Sequence, residues 1–176
     1  MRKAIYFCMI VLAVVMSVSC KEKKQDNIII IRKPLAAKQT RPQRIGDQVK
    51  AREIHWVGAD YRVVISTKAD TSLPLATDGS SKYYDNRITI RILRADGTEF
   101  FNRSFTKADF RPYVDETYYD NGALVGIVFD KVVGNTLQFA ASVGSPDRSS
   151  DEFMPLTLTV TNLGAVAIEK STSDDE

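Results

Sequence analysis

Residues 86–105 read NRITIRILRADGTEFFNRSF, and this stretch decides the fold class. Ile88, Ile90 and Ile92 alternate with polar residues, which is the two-residue period of a β-strand with one buried face. The pair Asp96-Gly97 follows almost at once and is the strongest short-range sequence signal for a β-hairpin. The stretch therefore predicts two antiparallel strands joined by a tight turn.

The turn length sets which residues face each other across this hairpin. A four-residue loop would place the charged residue Glu99 opposite Ile92 on the apolar face. We therefore expect a two-residue turn. This register leaves Arg103 on the otherwise apolar face. Because a charge is rarely buried without a partner, we expect Arg103 to reach an Asp or Glu or to lie at an open sheet edge. The expected pairs are Arg94 with Glu99, Leu93 with Phe100, Ile92 with Phe101, Ile90 with Arg103 and Ile88 with Phe105.

The rest of the chain from residue 53 onward predicts mostly further strands. Between residues 106 and 119 the period changes to that of one short helix near 107–119. Thr106 with Asp109 three residues on resembles a helix start, although Pro112 fits better in a first turn started at Asp109. Residues 73–75 and 78–81 are predicted as loop and turn. Many short strands with one helix favour an all-β, mainly antiparallel fold, either a β-sandwich or a partly closed barrel. The other predicted strands are 61–65, 124–129, 137–143, 156–161 and 166–168.

The first twenty residues resemble a bacterial lipoprotein signal peptide. Arg2 and Lys3 are followed by an apolar run over residues 4–16, and Ser17-Val18-Ser19 places small residues before Cys20. Ser17 stands where Leu is commonest in such signals. The alternatives are a plain cleaved signal or a membrane span, but a span needs about twenty apolar residues. We therefore predict that Cys20 becomes the N-terminus and carries the lipid. Cys8 would leave with the signal, so the mature chain would hold no free thiol.

The predicted organisation has four parts, and their charges differ. Residues 1–19 form the signal peptide, 20–52 the lipidated cysteine with a basic tether and an extended segment, 53–170 a single β-rich domain and 171–176 an acidic flexible tail. Ten basic and three acidic residues lie in 21–52, whereas 53–176 holds 12 basic and 19 acidic residues. The basic segment would lie near anionic lipid head groups or serve as a solvated tether. An exported acidic domain is a poor partner for nucleic acid. The four isoleucines at 28–31 predict a strand or a clamp onto the domain.

Signatures of catalysis, metals and cofactors are absent from the sequence, so we predict no catalytic residues, no metal and no cofactor. The only histidine, His55, adjoins the only tryptophan, Trp56, and on a strand the two point to opposite faces, with Trp56 inward. No Gly-x-Ser-x-Gly elbow or calcium-loop pattern occurs. Acidic and amide residues near turns are best explained by local backbone hydrogen bonds. These residues are Asp78, Asp85, Asn86 and Asp96.

Tyrosine pairs are the best candidates for a ligand site. The first candidates are Tyr83, Tyr84, Asp85 and Asn86, and the pair Tyr118-Tyr119 could also form an aromatic platform for a sugar. A pair of carboxylates could instead serve glycoside hydrolysis, although nothing in the sequence selects the pair.

Longer stretches of the chain resemble a known family. These stretches are HWVGADYRV (55–63), LPL (73–75), YYDNRI (83–88), RADGTEFF (94–101), FTK (105–107), FAASV (139–143) and DEFMPL (151–156). Together they cover about residues 55–168 and resemble a family of small lipoproteins of Bacteroidetes-type bacteria that is catalogued only as a domain of unknown function. The resemblance implies export, lipidation and a single domain, and it implies no substrate.

These observations predict a lipid-anchored protein of the cell envelope, held in the outer membrane through acylated Cys20. The domain is expected to face the periplasm, and exposure on the cell surface is the alternative. Its β-domain is expected to bind a glycan, a peptide or an envelope protein without catalysis. The alternatives are an envelope hydrolase that uses a carboxylate pair and a purely structural envelope component.

Overall fold

The computed structural model describes residues 41–171. These residues form eleven strands, one 3₁₀ helix and one short α-helix. In chain order they are β1 (Gln43–Arg44), β2 (Gln48–Trp56), β3 (Ala59–Ala69), β4 (Leu75–Asp78), β5 (Ser81–Tyr84), β6 (Asn86–Arg94), β7 (Glu99–Phe105), the 3₁₀ helix (Lys107–Tyr113), α1 (Glu116–Asn121), β8 (Ala123–Val133), β9 (Thr136–Gly144), β10 (Phe153–Thr161) and β11 (Val166–Lys170).

Two four-stranded antiparallel sheets form a sandwich. The first sheet has the order β2-β3-β6-β7 and the second has the order β8-β9-β10-β11. Each sheet keeps two free edges, so over residues 41–171 neither closes into a barrel. The predicted all-β fold is confirmed, and of the two architectures left open the sandwich is the one found.

A single apolar core lies between the two sheets. Ile88, Ile90 and Ile92 of β6 are fully buried and belong to the same core as Leu156 and the other inward residues of β10. Each such side chain contributes about 1.5–3 kcal/mol relative to an exposed one. The two-residue periods read from the sequence therefore identify both inner faces correctly.

A small third sheet was not foreseen. Its order is β1-β5-β4, with β1 parallel to β5 and β4 antiparallel to β5. The predicted turn at 78–81 is confirmed as the tight turn between β4 and β5, in which Asp78 pairs with Ser81. The predicted loop at 73–75 is wrong at Leu75, which begins β4. Strands of two to four residues are too short to show a period. Gly79 adopts a φ of 55°, a left-handed conformation that glycine supplies at no steric cost.

The hairpin of β6 and β7 has the predicted pairs along its apolar face, but its loop is longer than predicted. Ile92 pairs with Phe101 and Ile88 with Phe105, as expected. The expected pairs at Arg94 and Leu93 are wrong, because Arg94 N–H donates to the Thr98 carbonyl at 2.8 Å and Leu93 pairs with Glu99. The loop thus has three residues, and a β-bulge that leaves Phe100 unpaired restores the register. Both Phe100 and Phe101 thereby pack against the core.

The prediction for Arg103 is confirmed. Arg103 pairs with Ile90 and lies on β7, an edge strand of its sheet. Its guanidinium lies 3.2 Å from the carboxylate of Asp109 and 4.9 Å from the Phe105 ring centroid. The charge is therefore paired and about half-exposed instead of buried in the core.

The single helix predicted near 107–119 is two short helices. The 3₁₀ helix starts at Lys107, as predicted, after Thr106, whose backbone N–H and hydroxyl both donate to the Asp109 carboxylate. The expectation that Pro112 lies in a first turn started at Asp109 is wrong. Val114 is extended and separates this helix from α1. Pro112 lacks an N–H and cannot continue a long helix, and the chain accommodates it near the end of the 3₁₀ segment.

Candidate functional site

The first candidates from the sequence lie together at one end of the first sheet, but they are more buried than a surface site would be. Tyr83 is buried in a small apolar group with Ile45, Ala76 and Ala123, and Tyr84 is half-buried. Asp85 and Asn86 are buried at the start of β6. Their role in ligand binding stays a prediction, and their contacts within the protein are extensive.

Asp85 and Asn86 join the two sheets. One oxygen of the Asp85 carboxylate accepts the backbone N–H of Asn86 at 2.7 Å and that of Leu124, in β8, at 2.8 Å. The Asn86 side-chain amide donates to the Leu124 carbonyl at 2.9 Å. Two side chains thus satisfy both backbone groups of one residue in the opposite sheet. An unsatisfied buried polar group costs about 1–3 kcal/mol, so these bonds are important for the fold.

Lys107 completes this group of residues. Its ammonium donates to the Gly122 carbonyl at 2.6 Å and lies 4.0 Å from the free oxygen of Asp85. Its side chain is 9% exposed. We call Asp85, Asn86 and Lys107, with the backbone of Gly122 and Leu124, the Asp85 cluster. It connects the 3₁₀ helix, β6 and the start of β8.

Burial shifts both charged groups of the Asp85 cluster towards neutrality. The largest influence on Asp85 is desolvation, which raises its pKa, while the N–H donors of Leu124 and Asn86 and the nearby Lys107 oppose the shift. Desolvation likewise lowers the pKa of Lys107, against the attraction of Asp85 and Asp120. Shifts of this kind occur at functional sites and also in structural ion pairs.

The Asp85 cluster forms one wall of a cleft of about 230 Å³. Tyr119 and Asp120 of α1 form another wall, and Leu73 and Pro74 add an apolar surface. The Tyr119 ring centroid lies 4.5 Å from the Arg111 guanidinium. We call this the Tyr119 cleft. It combines an aromatic ring, carboxylates and an ammonium group.

A second cleft, of about 320 Å³, shares α1 as a wall. Tyr118, Thr117 and Asn121 of α1 line it, together with Asp78 and Glu152. Asp78 accepts a hydrogen bond from the Ser145 hydroxyl. We call this the Tyr118 cleft. It is polar, and both acidic residues line a single concave surface.

Two glycines allow the backbone to pack closely next to the Tyr118 cleft. A Cβ at Gly122 would lie 2.5 Å from the Tyr118 carbonyl oxygen and 2.7 Å from that of Gly144. A Cβ at Gly144 would clash with the backbone of Glu152 and Phe153. No side chain fits at either position without moving the backbone, so close packing of α1, β9 and β10 depends on both glycines.

The other sequence candidates lie apart from these clefts. Trp56 is buried and His55 exposed, as predicted, and His55 Nδ1 lies 2.8 Å from the Asp60 carboxylate across an exposed hairpin. Asp96 accepts the backbone N–H and hydroxyl of Thr98, which confirms its predicted use in a turn. Within residues 41–171 no three His, Cys, Asp or Glu residues come together in an arrangement that could hold a metal ion.

Several predictions fall on residues outside those described. Cys20 and the isoleucines at 28–31 are among them, as is the acidic tail after Ser171. Ser171 itself donates its backbone N–H to the Pro155 carbonyl at 3.1 Å. Across the described part of the chain, the helices are too short or too polar to cross a membrane.

The fold and its clefts define a β-sandwich domain with two tyrosine-lined clefts that share α1, one polar and one of mixed polar and apolar lining. The chain belongs to the family described as "Domain of unknown function (DUF4738)", whose model matches residues 24–168. The predicted resemblance to a domain of unknown function is thereby confirmed, while the Bacteroidetes-type lipoprotein character stays a prediction. No curated protein matches the sequence.

Sequence reasoning missed Lys107 as a site residue. The only signal was its position just after the predicted strand end at Phe105, and nothing local indicated that its ammonium would be buried against Asp85. Tyr118 and Tyr119 were recognised as an aromatic pair. The pattern did not show that they would line two different clefts.

Proposed function

We propose that this protein is a lipid-anchored component of the cell envelope whose β-sandwich binds a saccharide chain at the α1 end. The observation that carries the binding proposal is that Tyr118 and Tyr119, adjacent in sequence, line two clefts that share α1 and combine aromatic surface with polar groups. Sugars present apolar faces and hydroxyl edges, and sites for such ligands combine aromatic surfaces with a few fixed polar groups.

The polar groups of the Tyr119 cleft suit hydroxyl ligands. One Asp85 oxygen is occupied by two backbone N–H groups, and the other faces Lys107 at 4.0 Å. An ammonium has three donors, of which Gly122 accepts one. The cleft therefore combines an acceptor and a donor with the Tyr119 ring.

The test is to titrate purified protein with oligosaccharides released from peptidoglycan and from surface polysaccharide, using isothermal calorimetry. Removal of either ring should weaken binding about fivefold, since an aromatic contact contributes about 1 kcal/mol. The variants are Tyr118→Ala and Tyr119→Ala, and Leu163→Ala, on an exposed turn, is the control. Equal affinity in all three variants and wild type would overturn the saccharide site.

Support for the lipid anchor comes from the charged start, the apolar run and the small residues before Cys20. Each buried CH₂ of an acyl chain contributes about 0.8 kcal/mol, and two or more chains give firm attachment. The basic segment after Cys20 would add attraction to anionic head groups. The anchor is proposed to lie in the outer membrane, with the domain facing the periplasm. Fractionation of cells that express Cys20→Ala should move the protein to the soluble fraction, and retention in the membrane would contradict the anchor.

A second candidate function is hydrolysis of a glycoside by a carboxylate pair. It is favoured by one observation, the presence of Asp78 and Glu152 in the Tyr118 cleft. Paired carboxylates can act as the acid and base of such a reaction. Release of reducing sugar over many turnovers, abolished in both Asp78→Asn and Glu152→Gln, would establish an enzyme in place of a binding protein.

A further inference from the structure

On one side of the sandwich, strand β8 of the second sheet packs against β3 and β6 of the first sheet. Strand β8 pairs only with β9, and β2 pairs only with β3, so both are edge strands among the described residues. The inward face of β2 is buried at Trp56, half-buried at Ile54 and exposed at Arg52 and Lys50. Nothing in the described part of the chain covers that end of β2.

A slot of about 230 Å³ lies at this place, beside the free edge of β8. Val63 and Ile65 of the core line it, together with Val128 and Phe129 of β8. We call it the β8 slot. An edge strand beside an apolar surface is the usual setting in which an extended peptide adds to a sheet.

The charges around the β8 slot are of one sign. Lys50 and Arg52 line it, and the Arg52 guanidinium lies 5.3 Å from the Phe129 ring centroid. Within residues 41–171 neither cation has a carboxylate within ion-pair distance, whereas Glu53, on the opposite face of β2, pairs with Arg62. A ligand here would therefore meet an apolar floor between unpaired positive charges.

We propose that the β8 slot binds an extended acidic peptide of another protein, which adds a fifth strand to the second sheet. Every second side chain of the bound peptide points inward. An apolar residue at the central inward position contacts Val63 and Ile65. The carboxylates at the inward positions on either side of it contact Lys50 and Arg52. β8 has bulges at Val125 and Asp130 that interrupt regular pairing. The added strand therefore pairs only with residues 126–129, between the two bulges, and the site recognises a short segment of the peptide. This site is independent of the saccharide clefts.

The test uses a labelled heptapeptide, Ser-Glu-Thr-Leu-Thr-Glu-Ser, and its counterpart with Lys in place of both Glu residues. Fluorescence anisotropy with the purified full-length protein should show binding of the acidic peptide at least tenfold tighter than of the basic one. The double variant Lys50→Glu/Arg52→Glu should lose that preference. Lys68→Glu, on the opposite face of the same sheet, should leave it unchanged.

Hydrogen exchange gives the second measurement. The acidic peptide should protect amides within residues 126–129 and leave those of β11, the far edge of the same sheet, unchanged. Equal binding of both peptides, or protection elsewhere, would overturn the proposal. A protein dimer that protects residues 126–129 without peptide would show that a second copy fills the slot, and would also overturn it.

Discussion

Strand β6 connects two clusters of opposite chemistry. At its start lies the Asp85 cluster, in which every contact is a directed hydrogen bond or a charge contact. At its far end, Trp56, Tyr61 and Phe100 pack edge to face with ring centroids 5.3, 5.5 and 5.9 Å apart, and we call them the Trp56 cluster. The aromatic cluster is stabilised mainly by buried area, whereas the polar cluster depends on each partner being present.

The difference explains where the clefts lie. Apolar rings can fill the end of a sandwich completely, and the Trp56 cluster closes that end. Buried polar groups need partners at fixed distances, and the backbone must come to them from α1 and β8. The clefts lie where these elements meet, beside the Asp85 cluster.

The largest expected effect is at the aromatic end. Trp56→Ala should lower the free energy of unfolding by about 3–5 kcal/mol, because it removes a large buried side chain and leaves a cavity. Guanidinium denaturation measures the change. Trp56→Phe should cost much less, since the indole N–H has no hydrogen-bond partner among the described residues. A Trp56→Ala protein as stable as Trp56→Phe would show that the ring does not hold this cluster.

A smaller loss is expected at the polar end. Asn86→Ala should cost about 1–3 kcal/mol, because it removes the amide donor and leaves the buried Leu124 carbonyl unsatisfied. Urea denaturation measures the cost, with Asn102→Ala on exposed β7 as a control near zero. Equal stability of the two variants would mean that the bond between the sheets contributes nothing.

Removal of the Lys107 charge should change the pH dependence of stability. Lys107 lowers the pKa of Asp85, so Lys107→Met should raise that pKa further above its ordinary value of 3.8. A carboxyl with a raised pKa in the folded state stabilises the protein below its unfolded pKa and loses that contribution as pH rises through the folded pKa. Lys107→Met should therefore lose stability more steeply than wild type as the pH rises above 3.8, the ordinary pKa of the carboxyl.

Unfolding at several pH values checks this prediction, with the exposed Lys68→Met as the control. If the stability of Lys107→Met changes with pH in the same way as that of wild type, Lys107 does not affect the pKa of Asp85, and the prediction is wrong.

The smallest expected effect concerns Asp70, which lies beside the polar cluster. Hydrogen bonds from Ser72 and the Arg87 guanidinium lower the pKa of Asp70 to about 2. Its contribution to stability is present above the unfolded value of 3.8 and is lost as pH falls through about 2. Ser72→Ala should raise this pKa, as followed by carboxyl-carbon NMR. With Ser80→Ala as the control, an unchanged pKa in Ser72→Ala would contradict the assigned cause.

The aromatic end and the strands were largely predictable from the sequence. Ile88, Ile90 and Ile92 showed a period that only one buried face explains, and Trp56 was expected in the core. The bulge at Phe100 was not predictable from the sequence. The loop has one residue more than predicted, and the bulge offsets that residue, so the pairs from Ile92 with Phe101 onward are the same with or without the two changes.

The Asp85 cluster could be predicted only in part. Tyr83 to Asn86 were recognised as unusual, but a turn explained Asp85 equally well. Its partners, Leu124 and Lys107, are distant in sequence and come together only when the two sheets pack. Polar contacts of this kind have no period, so the sequence alone does not reveal them.

The order of the strands has a consequence for how the chain folds. The first large sheet uses residues 48–105 and the second uses residues 123–170, so each is one continuous stretch. Apart from β3 with β6, every pair in these sheets joins consecutive strands. The loops that must close are therefore short, and closing them costs little conformational entropy. During synthesis every strand of the first sheet is made before any strand of the second, so its apolar face has no partner sheet at that stage. In the folded structure the hydrogen bond from Lys107 to Gly122 joins the two ends of the connection between the sheets.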